Sequence, residues 1–173
     1  SCTMPLFVKM LGGMKNVLTK SESFIREKGI SEEVFLTDRL APDMFPFKRQ
    51  VQIATDNAKG AAARLSGTEI PKYEDVEMTF AELHARIDKT LAYLATVSEE
   101  SFAGAEERKI SLPYYPGKYM TGTEYALEHA VPNFLFHVTI GYAIARKQGV
   151  PLAKSDYING LPLVLFELKN PYD

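Results

Sequence analysis

The sequence holds a single cysteine, Cys2, among its 173 residues. One thiol forms neither an internal disulfide nor a cysteine metal cluster, so a reducing, cytoplasmic setting is expected. The extreme N-terminus is also a poor place for a nucleophile, since a reactive thiol needs fixed surroundings that lower its pKa. Charge of one sign is lacking too. The 20 Lys and Arg residues against 22 Asp and Glu leave a formal net charge of -2. That balance offers no global field for nucleic acid or an anionic membrane, and no partner of either kind is expected. Long hydrophobic runs are missing. The longest uncharged stretch, residues 129–145, contains Pro132, Asn133 and two histidines. A membrane span needs about 20 mostly apolar residues, so this stretch reads as a buried helix. The N-terminal segment carries Lys9, Lys15 and Lys20 and no apolar core of a signal peptide. There is no GxGxxG, P-loop, GxSxG or HExxH motif, no internal repeat and no low-complexity tract.

What is present suits one domain. Hydrophobic residues make up 46% of the chain, enough for a core. Four segments carry apolar residues at helical spacing. The first, residues 5–28, places Phe7, Met10, Leu11, Met14, Val17, Leu18, Phe24 and Ile25 on one stripe, with Pro5 in its first turn and Gly29 at its stop. Gly12 and Gly13 weaken it locally and mark a close helix crossing. The second, residues 46–67, has a small inner face of Ala54, Ala58, Ala61 and Ala62, with Asp43 as its candidate cap. A polar crossing over residues 67–78 is long for a tight turn and can run the length of a bundle. Thr79 and Glu82 then form a capping box before Phe80, Leu83, Ile87, Leu91 and Leu94. Ile110, Leu112, Tyr114 and Tyr119 around Pro116-Gly117 predict a short β-hairpin. Thr121 and Glu124 open the fourth helix, in which Pro132 removes one backbone donor and predicts a kink. The reading is an all-α four-helix bundle over residues 1–158. The tail over residues 159–173 is too apolar to be left in water and must dock on the bundle or on a partner subunit.

The residues with most chemistry are His129, Asn133 and His137, which step by four along the fourth helix. They read either as a metal or substrate site or as hydrogen-bonded core groups. From a regular helix the two histidines stand roughly 12 Å apart along the axis, so they cannot share one ion. Asn57 borders the interior of the second helix. Arg49, Asp56 and Lys59 are expected on a solvated face, and His84 in a structural role.

Two groups of motifs carry a family likeness. One is Leu40-Ala41-Pro42-Asp43-Met44-Phe45-Pro46 with Arg49-Gln50-Val51-Gln52 and Lys59-Gly60-Ala61-Ala62-Ala63-Arg64-Leu65. The other is Pro132-Asn133-Phe134 with Phe136-His137, Tyr142-Ala143-Ile144 and Gly149-Val150-Pro151-Leu152. Together they resemble domain-of-unknown-function family 1993, itself similar to the DinB/YfiT-like superfamily of metalloenzymes. The resemblance implies an up-down-down-up bundle. It also implies a divalent metal held by three histidines, one on the second helix and an HxxxH on the fourth. Here His137 takes the last position, with Arg146 at the usual spacing after it. Asn133 takes the first HxxxH position and Asn57 that of the second helix. Two amides among three ligands make a poor zinc or nickel site. The expectation is therefore a degenerate metal site with no resident cofactor and a small-molecule pocket near Asn57, Asn133, His137 and His129. The alternatives are a metal-dependent thiol transferase or isomerase with Zn or Ni on His137, and a non-catalytic homodimer paired through the tail and the small-residue faces.

Overall fold

The computed structural model describes residues 3–158, so Cys2 and the apolar tail lie outside the described residues. In chain order the helices are α1 (Thr3–Lys28), α2 (Glu32–Thr37), α3 (Phe47–Ser66), α4 (Phe80–Thr96), α5 (Gly122–Glu124), α6 (Val131–Lys147) and α7 (Lys154–Tyr157). Two 3-10 turns, Glu99–Phe102 and Ala105–Glu107, lead toward α5. The described residues are all-helical and contain no strand.

Local sequence explains most of the boundaries. α1 stops at Gly29 and α3 at Gly67, with φ of 66° and 76°. Glycine enters this left-handed region at little steric cost, and the Gly67 N–H closes on the Ala63 carbonyl. Both capping boxes form, at Thr79 with Glu82 and at Thr121 with Glu124. Asp43, however, does not cap α3. Pro46 holds the N-cap position, and the Phe47 N–H bonds instead to the Asp38 carbonyl at 2.9 Å. The close approach at Gly13 is to α7: a Cβ there would stand 2.9 Å from the Tyr157 carbonyl oxygen.

The expected hairpin reduces to one bridge. Ile110 and Met120 exchange backbone hydrogen bonds of 2.8 and 3.0 Å, and pairing ends there. Successive turns, Tyr115 N–H to the Leu112 carbonyl and Lys118 N–H to the Tyr115 carbonyl, use up the intervening chain. Pro113 and Pro116 supply no ladder donors. The disturbance at Pro132 takes the form of a π-helical stretch, Tyr125–Ala130, that joins α5 to α6. The Val131 N–H reaches the carbonyl of Ala126. The wider turn absorbs one residue just before the proline, which then sits in the first turn of α6, where a missing N–H matters least.

The core lies among the four long helices, and α3 packs on both α4 and α6. Ala54, Ala58, Ala61 and Ala62 are fully buried and let neighbours come close. Phe7 of α1 meets Phe134 of α6 edge-on at 4.8 Å, and a Cβ on Gly141 would lie 3.4 Å from Met14. Phe47 of α3 pairs with Phe80 of α4 at 6.4 Å.

Candidate functional site

The seam between α3 and the π-helical stretch with α6 gathers the polar residues that periodicity singled out, though not around one point. At one end, His137 Nδ1 lies 2.8 Å from Gln50 Oε1. The Gln50 amide nitrogen donates to the Phe45 carbonyl at 2.8 Å, which turns the amide oxygen toward the ring. An amide oxygen only accepts, so Nδ1 carries the proton and Nε2 keeps its lone pair. Burial pushes the His137 pKa down to about 4, aided by the Arg49 guanidinium. The ring is therefore neutral at pH 7. Phe136 meets it edge-on at 5.2 Å. Phe136 and Phe45 are 52% and 54% exposed, so two aromatic side chains stand open beside this end.

One turn along, Asn133 Nδ2 donates to Asn57 Oδ1 at 3.2 Å. Asn57 Nδ2 is buried with no partner among the described residues. At the far end His129 stacks on Tyr125, ring centres 5.6 Å apart, and its Nε2 lies 3.1 Å from the Tyr114 hydroxyl. Its buried Nδ1 also lacks a partner. Burial, then the nearby Arg64, holds the His129 pKa below the ordinary imidazole value. Arg64 Nη1 donates to the Tyr125 hydroxyl at 3.3 Å.

A family model described as a domain of unknown function, DUF1993, matches residues 1–158. The chain belongs to the DUF1993 family. Its structure is similar to the crystal structure of a DinB family member protein from Shewanella denitrificans. The two are 44% identical with a TM-score of 0.90, over 94% of this chain and 92% of that one. No curated protein matches.

In this DUF1993 chain the donor set does not fit the metal that DinB-like proteins imply. The positions that the resemblance assigns to the ligands hold Asn57, Asn133 and His137, and the two amides bond to each other. Asn57 Oδ1, the atom an ion would use, spends one of its two lone pairs on the Asn133 amide. Among the described residues no group of three His, Cys, Asp or Glu side chains could hold an ion. One imidazole with two amides is a weak set for zinc or nickel. Among the described residues, four cavities are lined without Asn57, Asn133, His129 or His137; the largest of these four, about 540 Å³, lies beside Tyr73 and Arg86.

Sequence reasoning missed Gln50 as the partner of His137. The signal was there: Gln50 heads the row Ala54, Ala58, Ala61, so it is a polar residue on the alanine stripe of α3. It also misplaced the other face of α3. Lys59 is buried, not solvated, and pairs with Asp56 at 2.8 Å. Asp56 in turn pairs with the buried Arg86 of α4 at 2.9 Å. Arg49 pairs with Asp75. Folding the crossing, residues 68–79, against both helices covers these groups. His84 is half-buried, and burial lowers its pKa.

Proposed function

We propose that this protein is a DinB-like bundle with a degenerate metal site that binds a small molecule, without a metal, in the seam at Asn57, Asn133, His137 and His129. The observation that carries the reading is Asn57 Nδ2, a buried donor with no acceptor among the described residues. Leaving such a group unpaired costs about 1–3 kcal/mol, which an acceptor on a ligand would recover. His137 Nε2 supplies an acceptor, and Phe45 and Phe136 supply apolar flanks. The frame in this proposal is an up-down-down-up four-helix bundle. Its support is register: His137 lies against Gln50 and Asn133 against Asn57, whereas Phe80 lies against Phe47 and Arg86 against Thr55. α3 thus runs against α6 and along α4. A homodimer and a cytoplasmic setting belong to the same proposal. Pairing is supported by the apolar sequence of the tail and the setting by the single thiol; no helix among the described residues is long and apolar enough to cross a membrane.

A thermal-shift screen of small polar molecules on the full chain tests the reading. A ligand at 100 times its Kd should add about 2.7 kcal/mol of stability. That gain should vanish in His137→Ala or Asn133→Ala; a screen without a hit would overturn the reading. A metal-dependent thiol transferase draws on one observation: a donated Nδ1 proton is also how a metal-bound histidine is held. Elemental analysis of untagged protein separates the two, with one equivalent of zinc or nickel favouring the transferase. Light scattering that gives a 19.4 kDa species would remove the dimer.

A further inference from the structure

We propose that Arg64, together with the unpartnered amide of Asn57, forms a subsite for a carboxylate monoanion, the polar end of the molecule that the seam binds. The inference rests on the seam reading above and names its ligand class. Arg64 is half-buried, and its only hydrogen bond among the described residues is the 3.3 Å contact to the Tyr125 hydroxyl, over whose ring the guanidinium stands at 5.8 Å. No carboxylate among the described residues pairs with it, whereas Arg49, Lys59 and Arg86 each have an acid partner. Its remaining N–H donors have no protein acceptor among the described residues and are not buried, so they face solvent and are open to an anion.

Gly60 explains how Arg64 reaches this place. A Cβ at residue 60 would stand 2.6 Å from Arg64 Nη1, so the guanidinium folds back along α3 over Gly60, and a side chain there would make this flexible end shift. Glycine in mid-helix costs about 1 kcal/mol relative to alanine, and nothing in the helix itself requires it. Asn57 is three residues before Gly60 and shares its face. Its buried Nδ2 adds a second donor without an acceptor. Burial, then Arg64 itself, holds the His129 pKa below the ordinary imidazole value, which disfavours a second positive charge there. The cluster therefore offers one formal charge, a planar fork and an amide N–H. A carboxylate matches the fork through two parallel hydrogen bonds. A phosphate dianion would leave negative charge uncompensated in a half-buried seam. Tyr114, Tyr125 and His129 set stacked rings beside the position, which suits a flat body on the ligand.

The test titrates the full chain with benzoate, inorganic phosphate and chloride, following the Arg64 side-chain N–H signal by NMR. Benzoate should shift that signal saturably in the millimolar range, and chloride should not. Arg64→Gln, followed by backbone signals, should weaken benzoate by about tenfold or more, the usual scale for losing a charge-assisted pair. Gly60→Ala keeps the charge but displaces it, and should weaken benzoate as well, which guards against a folding defect in either variant alone. Benzoate binding unchanged in both variants, or phosphate binding more tightly than benzoate, overturns the subsite. If uncharged molecules still bind the seam in those cases, the failure is confined to this inference. If nothing binds in the wild type, the seam reading falls with it.

Discussion

On the α4 side of α3, Arg86 spends its whole guanidinium on the protein. It donates to the Thr55 hydroxyl at 2.7 Å and to the Glu74 carbonyl at 3.0 Å, and it pairs with Asp56, Asp75 and Glu77. Lys59 and Lys89 sit over the Tyr73 ring at 3.7 and 4.2 Å. On the α6 side, among the described residues, Arg64 has no acid, and Asn57 Nδ2 and His129 Nδ1 have no partner. The two regions share one helix and similar residue types. They differ at their arginines: Arg86 is closed by three acids and ties the crossing to α3 and α4, while Arg64 meets none along the seam, although the α4 side too keeps one buried hydroxyl, that of Tyr93, without a partner among the described residues. Buried polar groups kept for the fold are usually satisfied, so an open set is where a ligand is expected.

The contrast breaks first, if at all, at Arg86. Arg86→Leu leaves Asp56 with Lys59 alone and Asp75 with Arg49 alone, takes the cation from the half-buried Glu77, and should lower stability by about 3–5 kcal/mol in urea unfolding. A loss below about 1 kcal/mol would mean that the network is mere surface. Next comes pH. An unfolded imidazole titrates near 6.5, and folding holds His137 at about 4. The unfolded chain therefore binds the extra proton between those values. The stability this group confers is complete above about 6.5 and is lost as pH falls toward 4, on the order of 2–3 kcal/mol. His137→Leu should flatten that part of the profile. Asn57→Ala stands smallest. It loses the bond from Asn133 but also removes an orphan donor, so stability should change by no more than about 0.5 kcal/mol. A loss near that of Arg86→Leu would erase the distinction between the two faces.

Much of this was legible beforehand. The long helices, the glycine stops and both threonine capping boxes follow from period and cap chemistry that act within a few residues. The β-hairpin failed because Pro113 and Pro116 outweigh the alternation of Ile110 and Leu112. The short helix α2 was missed, since Glu32–Thr37 is too brief to show a period. In the site, the four-residue step of His129, Asn133 and His137 found the right helix face. It did not show that each residue has a different partner, because those partners come from α3 and from the loop at Tyr114. Lys59 and Asp56 read as solvated because the crossing that buries them lies far along the chain. Arg64 escaped notice for a similar reason: its isolation depends on Gly60 and on the acids that are not near it.

Zinc added stepwise to untagged, full-length protein, with the His137 ring followed by NMR, addresses the seam most directly. The account predicts that one equivalent of zinc leaves the His137 signals in place, with Nδ1 still protonated toward Gln50. Signals that move and saturate at one equivalent, and do so together with those of Asn57 and Asn133, would show a working metal site and contradict it.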